Sequence, residues 1–168
     1  MTPRIILYLA VEGVLLSRSV TRSQLRSSEF RILKDSPHVA RLAELLALNR
    51  QTDVVLNSRL VLELGFRALL QLFPTLFCSH IVGATIHGNR LIRCRQLSQQ
   101  CGRCAWLSAD AERRQAGQLV VLEHDARCVP VPFRDRAIIV SSGLEAATSE
   151  DWRRLRDLLE PHEINSVN

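Results

Sequence analysis

A chain of 168 residues suits a single domain, and a hydrophobic share of 46% supplies a core of ordinary size. No apolar run approaches the roughly 18 residues needed to span a bilayer, and the N-terminal run is interrupted at Glu12 with no small-residue cleavage site behind it; neither a membrane partner nor a signal peptide is expected, and the protein reads as cytoplasmic. The net charge of +5 is carried almost wholly by arginine, Lys34 being the only lysine; the guanidinium fork favours phosphate and carboxylate partners, while charge alone says little about nucleic acid.

Ile5–Ala10 is a continuous apolar run, the pattern of a strand buried on both faces of a parallel sheet. Gly13 then permits a sharp turn. Residues 17–36 are polar and rich in Arg and Ser, a long loop with one short hairpin around Phe30–Leu33; loops of this length usually serve function or motion. Ser36 and Pro37 read as N-cap and first residue of a helix, with Val39, Leu42, Leu45, Leu46 and Leu48 forming its apolar face to about Asn49. Thr52–Ser58 is an apolar strand ending in a hydroxyl residue. Leu60–Phe73 reads as a second amphipathic helix, ended by Pro74, and Phe77–Thr85 as another strand. A helix from Leu91 or Ile92 to Cys101 and one over Ala105–Gln115 follow. Gln118–Leu122 is the clearest later strand and runs into Glu123-His124-Asp125. Val129–Pro132 is extended, Arg136–Val140 is a last strand, and Thr148 or Ser149 caps a final helix to about Leu159. From Pro161 onward the chain frays.

Alternating strands and helices predict an α/β fold, a doubly wound, Rossmann-like and mostly parallel sheet flanked by helices. Residues 1–160 form its one domain and 161–168 a tail. In such sheets ligands sit beyond the carboxyl ends of the strands, where this chain delivers Ala10 to Gly13, Asn57 and Ser58, and Glu123 to Asp125. Neither of the Gly-rich phosphate loops, G-x-G-x-x-G or G-x-x-x-x-G-K, occurs. The five cysteines are an odd set for a reducing compartment, where disulfides are not expected. Cys101-Gly-Arg-Cys104 is a single C-x-x-C: a metal or redox pair, or small apolar residues on a helix.

The strand that closes in Ala10-Val11-Glu12-Gly13-Val14 resembles the first motif of the haloacid dehalogenase-like (HAD) phosphohydrolase superfamily, an apolar strand followed by Asp-x-Asp-Gly-Val. The likeness extends to about Leu159, closest to a small bacterial subfamily with little or no cap. It implies that Ala10 stands where the family has its nucleophilic, metal-binding Asp, and Glu12 where it has the general acid/base. Ser58, with Asn57 as competitor, falls at the phosphoryl-binding hydroxyl of the second motif, and Arg93 at the cation of the third. Glu123, His124 and Asp125 fall at the acids of the fourth, which hold magnesium; here one is displaced or replaced by imidazole. Formation of an aspartyl phosphate needs a carboxylate nucleophile, which a methyl group cannot supply, and magnesium prefers near-octahedral oxygen ligation.

Three functions are compatible with these residues. The first is a degenerate HAD-fold protein without phosphohydrolase activity that binds a protein or a phosphate-bearing ligand, with no cofactor expected and at most weak magnesium. The second is a hydrolase with a remodelled site, in which Glu12, His124 and Asp125 converge and His124 serves as base or metal ligand. The third is a nucleic-acid-associated module using Arg18, Arg22, Arg26 and Arg31; single-stranded binding usually adds aromatic platforms, and aromatics are only 5% of this chain.

Overall fold

A computed structural model describes residues 4–20, 33–86 and 91–160, with residues 91–101 described as backbone. Its centre is β1 (Ile5–Leu9), every residue of which is buried. Five apolar residues in a row can be accommodated only where both faces are covered and both edges paired. β1 pairs in parallel with β2 (Thr52–Leu56) on one side and β4 (Gln118–Glu123) on the other. β3 (Ile81–Ala84) flanks β2 and β5 (Ala137–Ile139) flanks β4, so the all-parallel sheet runs β3-β2-β1-β4-β5. This is the doubly wound α/β architecture that the alternation predicted.

Side chains alternate across the sheet. Ile5, Leu7 and Leu9 join one cluster with Val39, Leu42 and Leu46 of α1 (Pro37–Leu48) and Trp152, Leu155 and Leu159 of α6 (Ser149–Leu159). Ile6 and Tyr8 join the other with Leu107 and Ala111 of α5 (Leu91–Arg114). The chain therefore winds outward from β1 to β3, crosses over through α5 on the opposite face, and resumes at β4. The direction of winding reverses between β1 and β4, which makes the crevice between their carboxyl ends the switch point where such sheets place ligands.

Both expected helix starts form. Ser36 accepts the Val39 N–H ahead of Pro37. Thr148 and Asp151 form a reciprocal capping box on α6. Other expectations need correction. The helix expected over Leu60–Phe73 is two, α2 (Leu60–Leu64) and α3 (Phe66–Leu70), because Gly65 sits at φ +86° between them. Phe77 belongs to a short helix, α4 (Thr75–Cys78), and stacks on Phe73 at 5.1 Å between ring centroids, so β3 begins only at Ile81; burial of the ring overrides its strand propensity. Val131–Arg136 is a 3-10 helix, so the expected extended stretch stops at Pro130. The two helices expected, one ending at Cys101 and one over Ala105–Gln115, do form: α5 (Leu91–Arg114) consists of two helical halves separated by the non-helical Gly102 (φ 59°, ψ 176°). The expected hairpin lies mostly, and the tail from Pro161 wholly, outside the described residues. Among the described residues no helix is long and apolar enough to cross a membrane.

Candidate functional site

Ala10 lies at the carboxyl end of β1, 1% exposed, its N–H donated to Leu122 O of β4 at 3.0 Å. The chain then turns through Gly13 at φ +83°, a conformation costly for any residue with a Cβ. The imidazole of His124 lies against that turn: a Cβ added to Gly13 would stand 2.3 Å from its Cγ. Gly13 is thus required twice, by its own φ and by the ring beside it. The end of β4 supplies Glu123, fully buried, and His124, 6% exposed.

Glu12 is 3% exposed. Its Oε1 accepts the Leu60 N–H at 3.2 Å and lies 3.5 Å from Arg59 Nε. Glu123 Oε1 accepts the backbone N–H of His124 at 2.8 Å and lies 2.7 Å from its Nδ1. Burial pushes the Glu123 carboxyl up to about 7, with the Arg103 guanidinium pulling the other way. Burial, then Arg103, lowers His124.

The residue that joins these groups is Arg103. Its guanidinium is mostly buried and donates to Glu12 O at 3.1 Å, with NH1 4.0 Å from Glu12 Oε2. NH2 lies 3.3 Å from Glu123 Oε1 and 3.2 Å from His124 Nδ1, and 3.7 Å from the Cys128 sulfur. The break at Gly102 turns the chain so that Arg103 begins the buried face of the second half of α5. Leu107, Asp110 and Arg114 continue that face at helical spacing. Asp110, 2% exposed, accepts the Tyr8 hydroxyl at 3.1 Å and pairs with Arg114 at 2.6 Å and with Arg113. Burial, then the Asp110 carboxylate, raises the Tyr8 phenol, which keeps it a donor. These contacts pin α5 to the sheet.

The residues singled out from the sequence divide. Ala10, Glu12, Glu123 and His124 meet at the switch point. Asn57 and Ser58 are close by but engaged in local structure. Ser58 is fully buried and its Oγ accepts the Leu60 N–H at 3.1 Å, as a turn residue opening α2 does. The Asn57 amide donates to Arg103 O at 3.3 Å and accepts from Thr85 Oγ1 at 3.0 Å, so it fixes the backbone that carries Arg103. Asp125 does not join the cluster through its carboxylate. Four hydrogen bonds of 2.8–3.2 Å bind that group to Arg127 and N-cap the 3-10 helix Ala126–Cys128, and they hold the carboxyl well below the usual range. The side chains of Arg93 and Cys101 lie outside the described residues. Arg103 was missed by sequence reasoning because it sits inside Cys101-Gly-Arg-Cys104, a spacing that draws attention to the thiols. The usable signal was Gly102 breaking a helix immediately before an arginine in phase with Leu107 and Ala111.

Magnesium does not fit these residues. Two acids face the crevice, a guanidinium lies between them, and among the described residues no three His, Cys, Asp or Glu side chains are grouped to hold a metal ion. Comparison with protein-family models, with curated proteins and with solved structures returns no match to this chain.

Beside the cluster opens a cavity of about 600 Å³ that shares Gly13 with it. Its walls combine apolar side chains such as Leu16, Val39 and Leu144 with hydroxyls such as Ser17 and Ser142. Arg18 also lines it and is tied to the crevice through Arg59, whose NH2 donates to Arg18 O at 3.0 Å.

Proposed function

We propose that this protein is a degenerate HAD-like module that performs no phosphoryl transfer and acts by binding a phosphate-bearing ligand or a protein partner at the carboxyl edge of its sheet. The observation that carries the reading is Ala10: at the end of the central strand, at the switch point, the chain presents a buried methyl group. A covalent phosphoryl intermediate needs an attacking oxygen at that place, and Glu12 does not substitute for it. The Glu12 carboxylate is already held by the Leu60 N–H and by Arg59 and Arg103. Support for an anionic ligand comes from Arg18, which lines the cavity. A cavity of about 600 Å³ also lies within the range of small-molecule sites.

The test is turnover. Purified protein is incubated with para-nitrophenyl phosphate and with nucleoside monophosphates, with magnesium and with EDTA. Release of phosphate at the buffer rate in every arm is expected. Magnesium-dependent release that disappears in Glu12→Gln would overturn the reading.

A further inference from the structure

Two buried carboxylates share this crevice, and each keeps one oxygen, Glu12 Oε2 and Glu123 Oε2, without a hydrogen-bond partner. Like charges so placed cost stability unless a cation lies between them. Of these two acids, Arg59 is paired with Glu12. Arg103 reaches both, with one nitrogen 4.0 Å from Glu12 Oε2 and the other 3.3 Å from Glu123 Oε1. Its position is imposed from outside the cluster, by the break at Gly102, by the Asn57 amide on its carbonyl and by the Tyr8–Asp110 contact two turns further along α5. A guanidinium stays charged at every accessible pH and cannot diffuse away.

We propose that the Arg103 guanidinium is the resident cation of the Glu12–Glu123–His124 cluster, a tethered replacement for a divalent metal ion. The proposal needs only the cluster and not the binding role argued above. A single delocalised charge lying between the two acids offsets their repulsion without coordinating them, and Glu12 Oε2 and Glu123 Oε2 remain without a hydrogen-bond partner. With the guanidinium lying between them, the acids and His124 are not grouped to hold a metal ion. Truncating Arg103 leaves two carboxylates and one imidazole nitrogen around the freed space, a mixed oxygen and nitrogen set suited to manganese.

Thermal unfolding of the full chain in manganese and in EDTA tests this. The wild-type protein and Arg103→Lys, which retains a tethered cation, are expected to melt at the same temperature in both. Arg103→Met is expected to melt lower in EDTA and to gain roughly 5–10 °C when manganese is a hundredfold above its Kd. Arg103→Met/Glu123→Gln is expected to fold without metal and to lose the response. Manganese stabilising the wild type would overturn the proposal, as would a folded Arg103→Met that ignores manganese. So would an Arg103→Met that stays unfolded in manganese, whether the double variant folds (no metal replaces the guanidinium) or fails too (its packing, not its charge, is essential).

Discussion

Glu123 sits in surroundings far from water. It is fully buried, it faces Arg103, His124 and Glu12, and its carboxyl is pushed up to about 7 from an ordinary value of 4.5. The folded state therefore favours its protonated form. The stability this contributes is complete below pH 4.5 and is lost as the pH climbs through 7, by up to about 3 kcal/mol. His124, shifted down, acts in the opposite sense, losing stability as the pH falls below its ordinary value, so the wild-type profile alone is a difference of two effects. Comparison with Glu123→Gln isolates the carboxyl. By urea denaturation the advantage of the glutamine variant is expected to grow between pH 4.5 and 7 and then level off; parallel curves for the two proteins would contradict the assignment. Local motifs made much of this scale legible in the sequence. Ala10, Glu12, Glu123 and His124 could be placed at one crevice because strands end there. Asp125, expected beside them, turns its carboxylate to Arg127 two residues on, a choice between local and distant partners that spacing does not encode.

Among the elements, α5 decides how the crevice is filled. Its second half buries Leu107 and Ala111 against Ile6, Tyr8, Val55 and Val121, and the same face carries Arg103 inward. Hydrophobic periodicity located a helix here, but charged residues on its buried face weaken that signal, since Arg103, Asp110 and Arg114 count as polar in any amphipathic pattern. Their burial depends on Tyr8 and Glu123, which are distant in sequence. By contrast α6 is specified locally. Thr148 accepts the Asp151 N–H at 3.1 Å while Asp151 accepts the Thr148 N–H at 2.8 Å, and Trp152, Leu155 and Leu159 form one buried stripe. Replacing Thr148 by Ala is expected to lower stability by about 1 kcal/mol in chemical denaturation and to leave the crevice unaffected. A loss near zero would mean that the stripe alone sets the start of the helix.

On the scale of the whole molecule, one reversal of winding accounts for the location of the site. The strands leave β1 toward β3, return beneath the sheet through α5, and continue at β4 and β5. Ala10 and Glu123, far apart in the chain, thereby become neighbours across one parallel pair. Alternation of elements was enough to foresee the sheet, whereas the content of its crevice was not, because a guanidinium delivered across the sheet leaves no trace in any one motif. In the function proposed above, a methyl group and an internal guanidinium stand where a phosphohydrolase of this plan would need an attacking oxygen and a metal. Crystals of the wild-type protein grown in manganese and measured at the manganese absorption edge test it most directly. Arg103 is expected between Glu12 and Glu123 with no anomalous peak there; a peak between those carboxylates with Arg103 displaced would contradict the proposal.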